Sequence, residues 1–207
     1  MTAIPKKFYT VEEYIELLKN SDERFEYFDG EVVSMAGGKA EHSDIASNVI
    51  YSLRDKLKER GCRVNGADLA VKTVKAWPFR YPDVSVVCGE RIIENMQGID
   101  MLVNPALLVE VLSPKTAAYD HNEKFVAYQA IESFVEYLLV SQERPHVTRY
   151  VRQPDDGWLR YDIIGLESDV ELSSVGIALS LGEIYSMVDF SPSDDRIQEN
   201  QTSQSRD

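Results

Sequence analysis

The chain has 207 residues, of which 43% are hydrophobic, and this is enough to build the core of one folded domain. Its formal net charge is −13, which excludes a broad basic surface of the kind that grips nucleic acid along its whole length. Any contact with DNA or RNA must therefore be local, or assisted by a divalent cation or a basic partner.

The termini and the cysteines indicate the compartment and the domain boundaries. No run approaches the roughly 18 apolar residues that span a bilayer, and the first residues lack a secretory signal, so we expect a cytoplasmic protein with no membrane segment. Cys62 and Cys88 are isolated in sequence, which indicates neither a zinc pair nor a disulfide, and we expect both to be reduced. The polar residues 191–207 predict a disordered tail after a single domain over residues 1–190.

The first part of the chain predicts two helices around a hairpin. In VEEYIELLKN the apolar residues recur at helical spacing, with Thr10 as the N-cap and Glu13 as its capping-box partner. FEYFDGEVVSM alternates on either side of Asp29-Gly30, a dipeptide that favours a tight hairpin turn. A longer helix from about 42 to 60 follows, and its core-facing stripe comprises Ile45, Val49, Leu53 and Leu57.

The remainder predicts most of a sheet and further helices. Strand patterns occur at CRVNG, LAVKTV, YPDVSVV and ALLVEVL, and later at VEYLLVS, HVTRYVR and WLRYDII, the last two as a hairpin. DHNEKFVAYQAIESF returns to helical period, with Asp120 predicted as its N-cap and Glu123 as the capping-box partner, and LSLGEIYSMV predicts a closing helix. These elements indicate an α/β or α+β fold with a mixed central sheet flanked by helices.

LLVEVL places a single acid, Glu110, inside an otherwise apolar strand. Because side chains alternate along a strand, Leu108, Glu110 and Leu112 share one face, and the other residues of the run share the opposite face. An unpaired ionised carboxylate inside such a sheet would be strongly destabilising. The sequence therefore predicts that Glu110 is protonated, paired with a base or bound to a cation.

Asp83 stands at the entrance of a second apolar run, YPDVSVV. If the two strands are neighbours in the sheet, Asp83 and Glu110 converge on one point at the same edge. A divalent cation relieves the repulsion between two such acids, and carboxylates together with a strand carbonyl form the oxygen ligation that suits Mg²⁺ or Mn²⁺. An ion held in this way supports phosphodiester hydrolysis.

Several motifs taken together resemble one known family. FEYFDGEVVSM, EHSDIASNV, YPDVSVV, LLVEVLSPKT and YDHNEKFVAYQ are similar, in this order, to the Uma-two family of predicted endonucleases, which is common in cyanobacteria and was long catalogued as a domain of unknown function. The resemblance covers residues 8 to 190. It implies a restriction-endonuclease-like fold of the PD-(D/E)xK superfamily and a metal-dependent endonuclease that hydrolyses DNA.

The resemblance also implies roles for individual residues. Asp83 and Glu110 match the two metal-binding acids of the PD-(D/E)xK pattern, with Mg²⁺ or Mn²⁺ as the cofactor. The lysine expected two residues after the second acid is Leu112 here, and the family supplies a lysine from the next helix, at Lys124. Helical periodicity supports that assignment, because Lys124 and Tyr128 fall on one face.

Two further residues are candidates on the same ground. His42 lies at the start of the second helix, where it is either a satisfied core or capping histidine or an active-site group that exchanges protons or contacts phosphate. Glu26, in the first hairpin, is either an exposed strand charge or an outer metal ligand. DNA is the expected partner, and because folds of this kind often dimerise, a homodimer is possible.

Each residue of the predicted site has a structural alternative. Glu110 and Lys124 could form a buried ion pair without a metal, Asp83 could simply begin a strand, and Lys124 could extend to solvent from an apolar face. Lys115, in the loop after the Glu110 strand, is the rival for the catalytic lysine. The alternative function is a catalytically silent member of the fold that binds nucleic acid or another protein, which the negative charge and the absent motif lysine favour.

Overall fold

A computed structural model describes residues 8–21, 25–28, 30–34, 39–73, 79–114 and 116–190. The predicted tail over residues 191–207, Lys115 and Asp29 of the predicted turn lie outside these ranges. Within the described ranges, no helix combines the length and the apolar character that crossing a membrane requires.

The elements are numbered in chain order. The helices are α1 (Val11–Lys19), α2 (Ala40–Leu57), α3 (Ala117–Tyr119), α4 (Phe125–Gln129) and α5 (Leu181–Ile184), and a π-helical turn (Asp120–Lys124) joins α3 to α4. The strands are β1 (Phe25–Phe28), β2 (Glu31–Ser34), β3 (Cys62–Gly66), β4 (Ala70–Lys72), β5 (Phe79–Arg80), β6 (Val84–Cys88), β7 (Ile93–Met96), β8 (Ile99–Leu102), β9 (Leu107–Leu112), β10 (Glu136–Ser141), β11 (His146–Arg152), β12 (Trp158–Ile164), β13 (Asp169–Leu172) and β14 (Ile177–Ser180).

A six-stranded mixed sheet forms the centre of the fold, in the order β12-β11-β10-β9-β6-β3. The central strand β9 runs parallel to β10 and antiparallel to β6. Both faces of β9 are covered, which explains why its sequence is almost continuously apolar rather than alternating.

One face of the sheet packs against α2. The side chains of Leu107, Val109 and Val111 from β9 join the α2 stripe in one apolar cluster, which also includes residues of the β13-β14 hairpin and of α5. The stripe is fully buried and comprises Ile45, Val49, Leu53 and Leu57. The side chains of β9 on this face are all apolar, and the buried acid beside them, Glu136 of β10, is paired with Arg149.

The opposite face, which carries Glu110, packs against the helical segment from α3 to α4. Leu108 of β9 lies there with Phe125 and Tyr128 of α4 and with Phe134 and Tyr137. The π-helical turn sits at the end of this layer, so its inward side chains reach the sheet beside Glu110.

A third apolar cluster lies beside the main sheet. It is formed by α1, by β1 of the β1-β2 hairpin, and by strands of a second, four-stranded sheet in the order β5-β4-β8-β7. Its buried residues include Tyr14, Tyr27, Phe79 and Tyr81. Because Tyr81 precedes β6 and Tyr27 lies in β1, this cluster brings the first hairpin up to the entrance of β6.

The elements with strong local signals agree with the sequence analysis. Thr10 and Glu13 form the predicted capping box at the start of α1. The β1-β2 and β11-β12 hairpins and the closing helix α5 are present, and α2 spans Ala40–Leu57. The two faces of β9 separate as predicted, with Glu110 on the face of Leu108.

The prediction that both cysteines are reduced is wrong for this structure, because Cys62 and Cys88 form a disulfide. The strands β3 and β6 are antiparallel neighbours, and their register places Cys62 directly opposite Cys88, with the Cα atoms 3.9 Å apart. Neither residue's sequence context carries that information, because the pairing depends on the register of two strands joined by a long connection.

The prediction that Asp120 is a helix N-cap is also wrong. The helical segment starts earlier: the Thr116 amide donates to the Ser113 hydroxyl and the Asp120 amide donates to the Thr116 carbonyl. Asp120 therefore lies inside the helical segment, at the start of the π-helical turn, and its side chain is buried.

Candidate active site

Asp83 and Glu110 lie together where β6 begins beside the middle of β9. The register pairs Val84 with Val109, so the residue before β6 faces Glu110 across the two strands. The Val111 amide donates to Asp83 Oδ2 at 2.7 Å, and the Asp83 amide makes a longer contact of 3.4 Å to Glu110 Oε2. The two acids that the sequence expected to converge thus lie at the same point of the sheet, each in contact with a backbone amide of the other strand segment.

Glu110 is almost completely buried, with 3% of its surface exposed, and is satisfied by side chains from the helical layer. Its Oε1 lies 2.8 Å from Lys124 Nζ and accepts a hydrogen bond from the Tyr128 hydroxyl at 3.2 Å. Burial raises the pKa of Glu110 well above its ordinary value, although the Lys124 ammonium opposes that shift. A carboxylate in this position is stabilised by any additional positive charge.

Lys124 projects from the π-helical turn into a pocket of carboxylates. Besides Glu110, its Nζ lies 3.3 Å from Glu26 Oε1 and 3.7 Å from Asp120 Oδ1, and it donates to the Tyr81 carbonyl at 3.2 Å. Burial by itself lowers the pKa of Lys124, but the surrounding carboxylates raise it well above its ordinary value. The surrounding carboxylates therefore favour the charged form of the buried ammonium.

Glu26 belongs to β1 and is buried, so the structure does not support an exposed strand charge. Its Oε1 faces Lys124 and is 3.4 Å from the Tyr81 amide. The structure thus pairs Glu26 with the Lys124 ammonium.

His42, near the start of α2, lies at the opening of the site. Its Nε2 is 3.3 Å from Asp83 Oδ2. The hydrogen bond to Asp83 raises the pKa of His42, although partial burial opposes the change. The side chains of His42 and Asp83 remain 26% and 16% exposed, so this pair forms the accessible rim above the buried Glu110 and Lys124.

Two site residues were not identified from sequence. Asp120 was interpreted as a helix cap, yet it contacts Lys124, and burial raises its pKa to about 6. Its spacing of four residues from Lys124 was the available signal, because an acid and a lysine at that spacing share a helix face. Tyr128, which the sequence places only on the helix face of Lys124, is buried in the core, and its hydroxyl donates to Glu110.

The donors around Asp83 and Glu110 fit a hard divalent cation. Carboxylate oxygens are the ligands that Mg²⁺ and Mn²⁺ prefer, and Mg²⁺ commonly takes only one or two protein carboxylates and completes its shell with water and phosphate. In the part of the chain that the structure describes, no three His, Cys, Asp or Glu side chains are arranged to hold a metal together. Asp83 and Glu110 remain as the pair of carboxylates that an ion could use, with water and substrate completing its shell.

The fold, together with the position of Asp83 and Glu110 in it, defines the structural class of the protein. A mixed sheet flanked by helices, with the acids at adjacent strands, is the restriction-endonuclease-like architecture. The crystal structure of a putative nuclease belonging to DUF820 from Anabaena variabilis resembles this chain with a TM-score of 0.68. The match covers 86% of this chain and 97% of the Anabaena chain. The two sequences are 19% identical, so the likeness concerns the fold.

The chain belongs to the Uma2 family, whose model, described as "Putative restriction endonuclease", matches residues 11–189. This confirms the family that the ordered motifs indicate. Two proteins of Synechocystis sp. are also similar: uncharacterized protein slr1290 is 34% identical over 176 residues and uncharacterized protein sll1609 is 30% identical over 178 residues. The matches cover 84% and 86% of this chain, and 90% and 99% of the respective relatives.

Proposed function

We propose that this protein is an endonuclease that hydrolyses DNA phosphodiester bonds and depends on Mg²⁺ or Mn²⁺. The observation that carries the proposal is the meeting of Asp83 and Glu110 on adjacent strands, with the Lys124 ammonium 2.8 Å from Glu110. Membership of a family described as restriction endonucleases supports the same conclusion.

Asp83 and Glu110 would hold the divalent cation, and Glu26 is the candidate for an outer ligand. When bound, such an ion supplies positive charge beside the scissile phosphate and favours attack by water. Asp83 is oriented for this role by the Val111 amide, and Glu110 by Lys124 and the Tyr128 hydroxyl.

Lys124 and His42 would act from two sides of the phosphate. Lys124 fixes Glu110 and places a buried positive charge behind it, which stabilises negative charge as the phosphodiester reacts. His42 lies on the accessible rim, and its raised pKa favours the protonated form that donates to a phosphate oxygen or to the leaving group.

A local site of this kind is compatible with the negative charge of the chain. With −13 overall, attraction to DNA over the whole surface is excluded. The site contains four carboxylates, those of Glu26, Asp83, Glu110 and Asp120. A divalent cation would neutralise part of this negative charge where the phosphate would lie.

One observation favours the silent alternative, a module that binds nucleic acid or protein without cutting. Lys124 already neutralises Glu110 and contacts Glu26, so the buried carboxylates have a partner without any metal. In that case the cluster only joins the helical layer to the sheet, as a buried ion pair.

Nicking of supercoiled plasmid separates the two functions. We expect the full chain to convert plasmid to the open circular form with Mg²⁺ or Mn²⁺ and to be inactive with a chelator. Asp83→Ala removes an acid of the site and should abolish nicking. Asp169→Ala removes an exposed acid of β13, on the far layer of the fold, and should cut at the wild-type rate.

Two outcomes of the plasmid assay would contradict the proposed nuclease activity. If folded wild-type protein leaves plasmid intact with either ion over a wide range of salt and pH, but still retards DNA in a gel, the binding module is correct. If Asp83→Ala cuts as fast as the wild type, the activity comes from elsewhere in the chain or from a contaminant.

A further inference from the structure

The outer edge of β12 is an unusual surface for an edge strand. Among the described residues β12 pairs only with β11, which leaves one side of a seven-residue strand unpaired. Three large apolar side chains are exposed on it: Leu159 is 48%, Tyr161 46% and Ile164 65% exposed. Long edge strands with exposed apolar residues readily pair with another strand unless something prevents it.

The sequence of β12 is complementary to itself when two copies of the strand run antiparallel. About the central residue, Tyr161, the sequence WLRYDII has Arg160 on one side and Asp162 on the other, with apolar residues beyond both. When two copies run antiparallel with Tyr161 opposite Tyr161, each Arg160 faces the Asp162 of the other copy. Opposite charges directly across two strands are stabilising.

The neighbouring registers lack that match. In a continuous sheet, two residues directly opposite each other point to the same face. A two-fold axis perpendicular to the sheet keeps every residue on its own face, so the axis must pass between two copies of the same residue. Centring the pair on Arg160 opposes two arginines, and centring it on Asp162 opposes two aspartates. Like charges directly opposite are destabilising, so the charges select the register centred on Tyr161.

We propose that the outer edge of β12 is a homodimer interface, in which β12 of two copies pair antiparallel with Tyr161 opposite Tyr161. Within one copy Arg160 already contacts Asp162 at 3.0 Å, so the four charges of the pair form one network on a single face. On the other face Leu159 packs against Ile163 of the second copy. The proposal is independent of the nuclease activity.

Charge exchange tests the interface in the full chain. Sedimentation of the wild type over a concentration series should show a monomer that becomes a dimer. Arg160→Asp puts like charges opposite each other and should raise the dimer dissociation constant roughly tenfold or more. Combining Arg160→Asp with Asp162→Arg restores opposite charges and should restore the dimer. Ile92→Lys, a change at an exposed apolar residue far from β12, should have no effect.

A cross-link reads the register directly and does not depend on the charges. Residues opposite each other on antiparallel strands have Cβ atoms about 5 Å apart, close to the spacing of a disulfide. Tyr161→Cys should therefore give covalent dimers under mild oxidation. Tyr51→Cys, at an exposed tyrosine of α2, and the wild type, whose own cysteines are already paired, should not.

Three results would overturn the proposal. The first is a wild type that stays monomeric at all concentrations. The second is a folded Arg160→Asp variant that dimerises as well as the wild type. The third is a dimer in which Tyr161→Cys does not cross-link, and this result would discard the register even if the chain associates. Ile164→Lys, at the exposed end of β12, replaces the charge variants if they fail to fold, and it should weaken the dimer without changing the fold.

Discussion

Lys124 is the residue on which both interpretations of the site depend, because its ammonium contacts the carboxylates of Glu110, Glu26 and Asp120. As a catalytic group it supplies charge to the phosphate; as a structural group it joins the helical layer to the sheet. The two roles differ in what its removal does to activity in protein that remains folded.

We expect Lys124→Met to reduce plasmid nicking on the order of a hundredfold, because one preorganised electrostatic stabiliser is lost. The change also leaves three acids without their cation, so it should lower the melting temperature of the metal-free protein. Rates must therefore be compared at a temperature where circular dichroism shows that both proteins are folded.

Lys115→Met is the matched comparison, since Lys115 is the rival from the sequence. It should cut DNA at close to the wild-type rate. Normal cutting by folded Lys124→Met, with loss of cutting in Lys115→Met, would transfer the role to Lys115.

Asp120 should make stability depend on pH. Burial raises its pKa from 3.8 to about 6. Between these values the native state binds a proton that the unfolded state has released, so the contribution of Asp120 to stability is present at low pH and is lost as pH rises through about 6. Asp120→Asn removes this dependence, so its free energy of unfolding should gain on the wild type as pH rises, by on the order of 3 kcal/mol in total.

Urea unfolding between pH 4 and 7, with a chelator present, measures that difference. Asp169→Asn, at an exposed position, serves as the control and should follow the wild type at every pH. A constant difference between Asp120→Asn and the wild type would show that Asp120 titrates as an exposed carboxyl group.

At the scale of elements, the π-helical turn and the β3-β6 pair place particular side chains. The turn directs two charged residues into the interior, and the strand pair brings the two cysteines together. The turn interrupts the α-helical repeat, and its Asp120 and Lys124 are both buried. The Tyr137 hydroxyl donates to the Asp120 carbonyl, which secures the turn against the sheet. The disulfide joins β3 to the end of β6 that lies away from Asp83.

We expect the disulfide to stabilise the fold by about 3 to 4 kcal/mol, because it closes a loop of 26 residues in the unfolded chain. Urea unfolding of the wild type with and without reductant should show this loss, and Cys62→Ser combined with Cys88→Ser should behave like the reduced wild type in both conditions. Alkylation of protein quenched directly from cells reports the state in vivo. Disulfides are rare in the cytoplasm, so two alkylated cysteines would support the cytoplasmic location that the sequence predicts.

At the scale of the molecule, the site occupies a junction. Glu26 comes from the hairpin beside the second sheet, Asp83 and Glu110 from the central sheet, and Lys124 from the helical layer. An ion bound there would join these units, and only in the folded state. Binding should therefore stabilise the whole fold by mass action.

We expect Mg²⁺ or Mn²⁺ at about a hundred times its dissociation constant to raise the melting temperature of the wild type by on the order of 5 °C. Asp83→Ala should show no such rise, because it has lost an accessible ligand. Na⁺ at the same ionic strength controls for screening. Equal rises in melting temperature in both proteins would rule out Asp83 and Glu110 as the metal ligands, whether or not the protein cuts DNA.

The sequence alone determined the features that depend on neighbours along the chain. The α1 capping box, the β1-β2 and β11-β12 hairpins and the burial of Glu110 beside Leu108 follow from hydrogen bonds and side-chain alternation within a few residues. The tertiary structure alone decided the contact of Glu26 with Lys124 and the Cys62-Cys88 pair. Each of these joins groups whose distance is set by strand register and by the packing of layers, and a carboxylate or thiol has no local signal that reveals which distant partner the fold will bring to it.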